Sequence, residues 1–171
     1  MQLITTMSAP SIEPVTSFTI DEVVHFINDA RRDMFPALCA QLEDDVAQYL
    51  QSGVFLTARD REGKGEGKGE LIATIGYVPY DHRFPQLHYS GRKTVEVVRL
   101  YVMPQYRRCG LAARLFEELK GRAEEEGVEC LYLHTHPFLI GAVRFWEKRG
   151  FTVVDVERDE VWRTTHMEML L

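Results

Sequence analysis

The stretch that decides the fold is residues 95–119, VEVVRLYVMPQYRRCGLAARLFEEL. Its first part is apolar and rich in valine, which favours a buried β-strand. Its last part places Leu111, Leu115 and Leu119 on one side of a helix, which predicts an amphipathic helix. Two arginines and a glycine stand between the two parts. The stretch therefore predicts a strand that passes into a helix through a positively charged turn.

This turn is predicted to bind an anion. The first amides of a helix have no intrahelical partner and carry a partial positive charge. Gly110 permits an unusual backbone angle, and Arg107 and Arg108 add charges that match phosphate oxygens. A phosphate or pyrophosphate is the natural ligand, and the alternative is a charged surface turn without a ligand. The residues match neither the lysine-containing phosphate loop nor the spaced glycines of dinucleotide-binding folds.

Outward from this stretch, the chain alternates between strand and helix patterns. The predicted strands cover residues 11–16, 54–60, 70–78, 94–103, 128–136, 151–157 and 164–170. The predicted helices cover residues 19–35, 40–53, 110–127 and 140–150, and a glycine-rich loop spans residues 61–70. No internal repeat or linker divides the sequence. This order predicts a mixed α/β sandwich around one central sheet, with the strands on either side of helix 110–127 running parallel.

Composition narrows the classes of protein. The net charge is -6, so the chain lacks the basic footprint of a nucleic-acid binder. No apolar run approaches the roughly 20 residues of a membrane helix, and the N-terminus does not resemble a signal peptide. The three cysteines (Cys39, Cys109, Cys130) match no metal site or disulfide framework. We therefore expect a soluble, reduced, cytoplasmic protein with no membrane, nucleic-acid or metal partner.

Two motifs carry a resemblance to a known family. Residues 107–112, RRCGLA, fit the pattern (Arg or Gln)-x-x-Gly-x-(Gly or Ala), and residues 142–151, AVRFWEKRGF, end a late helix in Gly-Phe. Together with the order of elements, they resemble the GNAT superfamily of acyl-CoA-dependent N-acetyltransferases over nearly the whole chain. The resemblance implies one domain, residues 1–171, with the GNAT fold. That fold is a mostly antiparallel mixed sheet, with one splayed parallel strand pair, flanked by helices.

The resemblance also implies acetyl-CoA as the cosubstrate, held between strands 95–103 and 129–136. Its pyrophosphate would sit on the amides of residues 108–113, and its pantetheine arm would pair with the backbone of Leu100 and Val102. The amide of Leu100 or Tyr101 would stabilise the oxyanion. The residues expected to bind the cofactor are Leu100, Tyr101, Val102, Arg107, Arg108, Cys109, Gly110, Leu111, Ala112, Ala113 and Trp146.

Glu96 and His136 are the candidates for the base that deprotonates the attacking amine. The position of Glu96 matches the base of histone-acetylating relatives, and burial would raise the pKa of its carboxyl toward neutrality. The alternative is a non-catalytic glutamate paired with Arg99 or Arg92. His136 lies near the expected cleft and titrates in the useful range, although a strand-end histidine is commonly structural. His134 points to the same side, and without a third ligand the two histidines do not indicate a metal.

The late helix departs from the family pattern. Trp146 stands where many relatives carry a tyrosine that protonates the leaving thiolate, and Leu139 stands where they often carry an asparagine. We expect Trp146 to pack beside the cofactor arm or in the core. The thiolate then leaves unaided, which a thiol pKa of about 8.5 permits, or another group such as Tyr101 or Tyr106 protonates it. Cys109 is interpreted as a small filler of the turn.

The amine acceptor is expected to bind the first helix and the polar, aromatic connection 79–93. A small-molecule amine with its own carboxylate, or a peptide terminus, suits these segments. Asp81 could steer the amine, and the arginines considered for the carboxylate are Arg31, Arg32 and Arg83. The alternative is a solvated loop. A competing function is an acyl-CoA sensor without turnover, and a homodimer could form through the final strand.

Overall fold

The computed structural model describes residues 9–35, 46–60 and 69–171. Its strands are β1 (Ser11–Pro14), β2 (Val54–Asp60), β3 (Glu70–Pro79), β4 (Thr94–Val102), β5 (Cys130–Thr135), β6 (Thr152–Val156) and β7 (Thr165–Leu170). Its helices are α1 (Ile20–Met34), α2 (Val46–Ser52), α3 (Leu111–Glu125) and α4 (Ala142–Glu147), with a 3₁₀ turn at Pro104–Tyr106. The predicted order of elements and the mixed α/β class are confirmed. The start of the predicted second helix and most of the predicted loop 61–70 lie outside the described residues.

The strands form one sheet in the order β1-β2-β3-β4-β5-β7-β6. Every neighbouring pair is antiparallel except β4 and β5, which are parallel and joined through α3. The pairing of β4 with β5 covers only Thr94–Glu96 against Cys130–Tyr132. Beyond Glu96 the two strands separate, as the prediction of a splayed parallel pair requires. This separation opens the sheet at its centre.

A β-bulge lies where β4 leaves its parallel partner. Thr74 and Gly76 of β3 pair with Tyr101 and Val98, so two residues of β4 stand opposite one residue of β3. One of them, Arg99, has a φ of 56°, which is uncommon for a residue other than glycine. The Thr74 hydroxyl donates a 2.9 Å hydrogen bond to the Arg99 carbonyl. The bulge therefore turns the rest of β4 away from β5 and is held in place from β3.

The two faces of the sheet differ in character. Helix α3 covers one face with Leu115, Phe116 and Leu119, which are almost fully buried and contribute about 2 kcal/mol each. Helices α1 and α2 cover the other face over β2 and β3. Over β5 that second face carries polar and aromatic residues, and the connection 80–93 packs there. The second face is therefore where titratable side chains come together.

The final strand does not lie at the edge of the sheet. Strand β7 pairs with β5 on one side and with β6 on the other, so the expected homodimer through the final strand would find both of its backbone edges occupied. The edge strand on this side of the sheet is β6, whose Val153, Val154 and Val156 are exposed. None of the described helices is both long enough and apolar enough to cross a membrane.

Candidate active site

A cleft of about 1420 Å³ follows the separation of β4 and β5. It runs past the end of α1, along β4 and β5, and ends between the connection 80–93 and the hairpin that joins β6 to β7. Pockets for small ligands usually measure about 300–1,000 Å³. The cleft therefore has room for a long ligand and for a second substrate at one end.

At one end of the cleft, the predicted turn presents free backbone amides. Arg114 is the first residue of α3 whose N–H donates to the helix, and its acceptor is the Gly110 carbonyl. The amides of Leu111, Ala112 and Ala113 have no intrahelical partner, and no side chain of the described residues caps them. Gly110 has a φ of 83°, and a Cβ there would meet nothing within 4 Å. The turn borders open space, as an anion site requires.

The neighbouring cysteine has a structural contact in the same turn. The exposed Cys109 thiol donates to the Tyr106 carbonyl at 2.9 Å. The Tyr106 hydroxyl in turn donates to Asp60 at 2.7 Å, and this hydrogen bond raises the pKa of Tyr106 to about 12. Tyr106 does not line the cleft, so it is badly placed for the role of acid that the sequence left open.

The two arginines of the turn behave differently. Arg107 Nε donates to the Val102 carbonyl at 2.7 Å, and its guanidinium lies over the Tyr101 ring and 3.8 Å from the Asp33 carboxylate. Tyr101 also donates to Asp33, at 2.9 Å. Arg108 is exposed and has no ion-pair partner in the described part of the chain. Arg107 therefore contacts groups inside the cleft, whereas the charge of Arg108 faces no ion-pair partner among residues 9–35, 46–60 and 69–171.

Peptide geometry shows which backbone groups face the cleft. The Arg99 carbonyl is directed to β3, where Thr74 donates to it, so the Leu100 N–H on the opposite side of that trans peptide faces the separation. Likewise, the Met103 N–H donates to Ile72 of β3, so the Val102 carbonyl faces away from β3. Of the two amides predicted to stabilise an oxyanion, Leu100 has the suitable direction, because Tyr101 is paired with β3.

Glu96 lies at the other end of the cleft and differs from the expectation in two ways. Its side chain is only 1% exposed, and its two oxygens accept hydrogen bonds from Arg83 at 2.7 Å each. Its partner is therefore Arg83 and neither Arg92 nor Arg99. Burial alone raises the pKa of Glu96, but His134 and Arg83 outweigh it and hold the pKa below its ordinary value. The predicted rise of the pKa is wrong, because the sequence did not show these two partners.

His134, which the sequence analysis noted beside His136 but did not choose as a candidate base, lies next to Glu96 in the cleft. Its Nδ1 lies 2.9 Å from Glu96 Oε1, and the edge of the Phe84 ring packs against it. Its side chain is 29% exposed and lines the cleft. The contact with Glu96 is a close approach to the carboxylate and not an aligned hydrogen bond, since Nδ1 has no hydrogen-bond partner among the described residues. The signal in the sequence was the two-residue alternation of strand β5. It places His134 on the same face of the sheet as Tyr132, the residue of β5 that pairs with Glu96.

His136 also lines the cleft, in an aromatic stack. Its ring lies parallel to Phe138 at 5.1 Å, and its Nδ1 is 3.4 Å from the Trp162 carbonyl. Burial, and then His134, lower the pKa of His136. Trp162 is placed there by a turn in which Asp159 accepts hydrogen bonds from three backbone amides. These contacts describe a packed histidine at the rim of the cleft.

Trp146 packs in the core at the edge of the cleft. It is 7% exposed and makes edge-to-face contacts with Phe116 at 5.5 Å and Phe151 at 5.2 Å. This agrees with the expectation that it packs in the core, and its indole also borders the cavity. Among the described residues, two tyrosines line the cleft: Tyr49, which the sequence analysis did not consider, and Tyr101, whose hydroxyl donates to Asp33.

Two of the three arginines that were expected to bind a carboxylate of the acceptor form ion pairs with carboxylates of the protein. Arg83 binds Asp81 at 2.9 Å as well as Glu96, so its guanidinium is used within the site. Arg32 pairs with Asp29 and does not line the cleft, whereas Arg31 is buried and lines it. Within the described ranges, no group of three or more His, Cys, Asp or Glu residues is arranged to hold a metal ion.

Comparison with known proteins identifies the architecture. Residues 21–151 match the model of the Acetyltransferase (GNAT) family. A stretch of 65 residues is 35% identical to the probable N-acetyltransferase san of Drosophila melanogaster, covering 34% of this chain and 35% of that protein. The match thus spans about a third of the curated relative.

Solved structures resemble the chain over a greater length. Arabidopsis thaliana NAA60 in complex with acetyl-CoA superposes with a TM-score of 0.70 at 18% identity, covering 95% of this chain and 99% of that one. A ribosomal-protein-alanine N-acetyltransferase from Brucella melitensis gives 0.68 at 18% identity, covering 94% and 99%. At these identities the likeness concerns the fold.

Proposed function

Because the chain belongs to the GNAT family of acetyltransferases, we propose that it transfers an acetyl group from acetyl-CoA to a primary amine by direct attack. The observation that carries this proposal is the coincidence of two features in one cleft. A parallel strand pair separates at a bulge, and the same stretch ends in an uncapped helix N-terminus. An extended ligand with an amide-containing arm and phosphates fits both features.

The cofactor's contacts follow from the backbone. Its pyrophosphate binds the amides of Leu111, Ala112 and Ala113, where the helix dipole favours negative charge. Its arm lies along the free edge of β4, next to the outward-facing groups of Leu100 and Val102. Arg107 then releases the Val102 carbonyl to the arm. Trp146 borders the arm from the core side.

The reaction needs an oxyanion donor. As the amine nitrogen bonds to the thioester carbon, the carbonyl oxygen gains negative charge. The Leu100 N–H, which the bulge turns into the cleft, donates to that oxygen. When the carbonyl re-forms, the carbon–sulfur bond breaks. The thiolate leaves with its electron pair and takes a proton from water, which a thiol pKa of about 8.5 permits.

His134 accepts the proton of the attacking amine through Nε2, the nitrogen turned away from Glu96. A general base must reach the reacting amine, and the partly exposed side chain of His134 lines the cleft. Glu96, the first candidate from the sequence, is buried and ion-paired, so it orients His134 instead of taking the proton itself. His136, the second candidate, takes part in packing at the rim.

A peptide amino terminus suits the acceptor end better than a free amino acid. The two exposed arginines considered for a substrate carboxylate, Arg32 and Arg83, are paired with protein carboxylates. The rim adds the aromatic surfaces of Phe35, Phe84 and Phe138. A peptide has a neutral backbone after its terminal amine, and an apolar side chain of the peptide can pack against these aromatic rings. Cytoplasmic location and a homodimer remain predictions from the sequence.

The proposal is tested by following thiol release from acetyl-CoA. Peptides with a free amino terminus should release thiol, whereas the same peptides with a blocked terminus should not, and free amino acids should react slowly. A small-molecule acceptor would appear as thiol release with free amines alone. The sensor alternative predicts thermal stabilisation by acetyl-CoA without thiol release with any amine.

A further inference from the structure

Arg83 connects the acceptor end of the cleft to Glu96. It lies on the connection 80–93, and its guanidinium binds both oxygens of Glu96 at 2.7 Å and one oxygen of Asp81 at 2.9 Å. The guanidinium also lies over the Phe84 ring, 4.7 Å from its centroid. The Phe84 ring also makes an edge contact with His134, with the ring centroids 5.8 Å apart. Arg83 therefore ties the connection to β4.

The shared carboxylate makes Arg83 and His134 compete for one negative charge. Glu96 Oε1 lies 2.7 Å from Arg83 and 2.9 Å from His134. Without Arg83, the buried carboxylate would have His134 as its nearest cation and would hold that ring in its protonated form. With Arg83 bound, the carboxylate orients the ring while most of its charge is already balanced.

We infer that Arg83 is a positioning residue that acts through Glu96: it holds the carboxylate against the ring of His134 and balances the charge of the carboxylate there. The inference rests on the proposed function, since it requires His134 to be the base. It assigns Arg83 a role inside the enzyme in place of the expected contact with a substrate carboxylate. It also makes a docked connection 80–93 a condition for turnover.

The other titratable groups around His134 are a tyrosine and two histidines. On its own strand, it contacts the rings of Tyr132 and His136. From β7, His166 lies 6.4 Å away and is bound to Tyr132 and Glu157. Glu96 and Arg83 are thus the charged side chains nearest to His134 in the described part of the chain.

The test is the pH dependence of kcat/KM in a series of four variants. Arg83→Gln leaves Glu96 unbalanced, so the acid limb should move to higher pH by about one unit. Glu96→Gln removes the negative charge, so the acid limb should move to lower pH. The double variant, Arg83→Gln with Glu96→Gln, should lie between these two. Arg83→Lys keeps the charge, so its acid limb should stay near that of the unchanged chain.

The double variant and Arg83→Lys also control for folding. Arg83→Gln alone leaves the buried carboxylate of Glu96 without its arginine partner, which destabilises the folded protein. The double variant replaces the pair by two neutral amides of similar size. In the double variant kcat should fall about 10- to 100-fold, because His134 loses its orienting charge. Circular dichroism checks that each variant is folded.

Two results would overturn the inference. One is an acid limb that stays in place in all folded variants, and the other is a shift of the same sign in Arg83→Gln and Glu96→Gln. The proposed function fails differently: the unchanged chain would then release no thiol with any amine. The assignment of His134 as the base fails if His134→Gln retains full activity. Full loss in His134→Gln together with unmoved acid limbs would leave His134 as the base and remove Arg83 from its role.

Discussion

The two ends of the cleft are built in different ways. The cofactor end comes from one continuous stretch, Val95 to Ala113, and acts through backbone groups: the outward edge of β4 and the first amides of α3. The acceptor end combines side chains from the connection 80–93, β4, β5 and the β6–β7 hairpin. The comparison teaches that binding of a common cofactor needs only local chain geometry, whereas the chemistry depends on pairings across the sheet.

The largest expected effect concerns the acceptor end. His134→Ala should lower kcat by about 10²- to 10⁴-fold, the usual contribution of a general base, while the Kd for CoA stays unchanged. Steady-state kinetics and calorimetry measure the two quantities. His136→Gln is the matched control on the same strand and should cost much less. A greater loss in His136→Gln than in His134→Ala would contradict the proposal and indicate His136 as the base.

The next prediction concerns the cofactor end. Gly110→Val should raise the Kd for CoA about 10- to 100-fold, because a β-branched residue strains at a φ of 83° and its side chain enters the open space of the turn. Calorimetry with CoA measures this. Gly121→Ala, in the middle of α3 where a Cβ meets nothing within 4 Å, is the control. Equal affinities in both variants would place the phosphates elsewhere.

These two ends also differ in how far the sequence predicted them. The strand, the turn and the helix start were predicted because valine content, Gly110 and the leucine spacing act locally. The parallel strand pair followed from the order of elements. The pairing of Glu96 with Arg83 joins residues 13 apart through an irregular connection, and no local rule selects Arg83 over Arg92 or Arg99. The sequence predicts a raised pKa for Glu96 because it does not show this ion pair.

The ion pair can be tested through stability. Glu96→Gln should lower the free energy of unfolding at pH 7 by about 1–2 kcal/mol, since it removes the buried one of the two carboxylates that pair with the half-exposed Arg83. The pKa of Glu96 is lowered in the folded state, so its contribution is present above the ordinary value of 4.5 and lost as pH falls through the folded value. Urea unfolding at pH 7 and pH 4 should therefore show a smaller difference at pH 4. A constant difference would contradict the pair's role.

The smallest effect separates the two arginines of the turn. Arg108→Ala should weaken CoA binding about three- to fivefold at low salt, and the difference should shrink as salt rises, because an exposed charge is screened. Arg107→Ala removes a contact to the Val102 carbonyl, so its effect should depend little on salt. Titrations of CoA at two salt concentrations distinguish them. The reverse pattern would make Arg107 the phosphate-binding arginine.

The central claim is that one cleft holds the cofactor by the backbone of a strand, a turn and a helix start. The most direct measurement is a crystal structure of the chain with CoA. We predict the pyrophosphate within hydrogen-bond distance of the amides of Leu111 to Ala113, the arm beside Leu100 and Val102, and Arg107 moved off the Val102 carbonyl. CoA bound away from these amides would contradict the account. So would an arm that lies on another surface while Arg107 keeps its contact with the Val102 carbonyl.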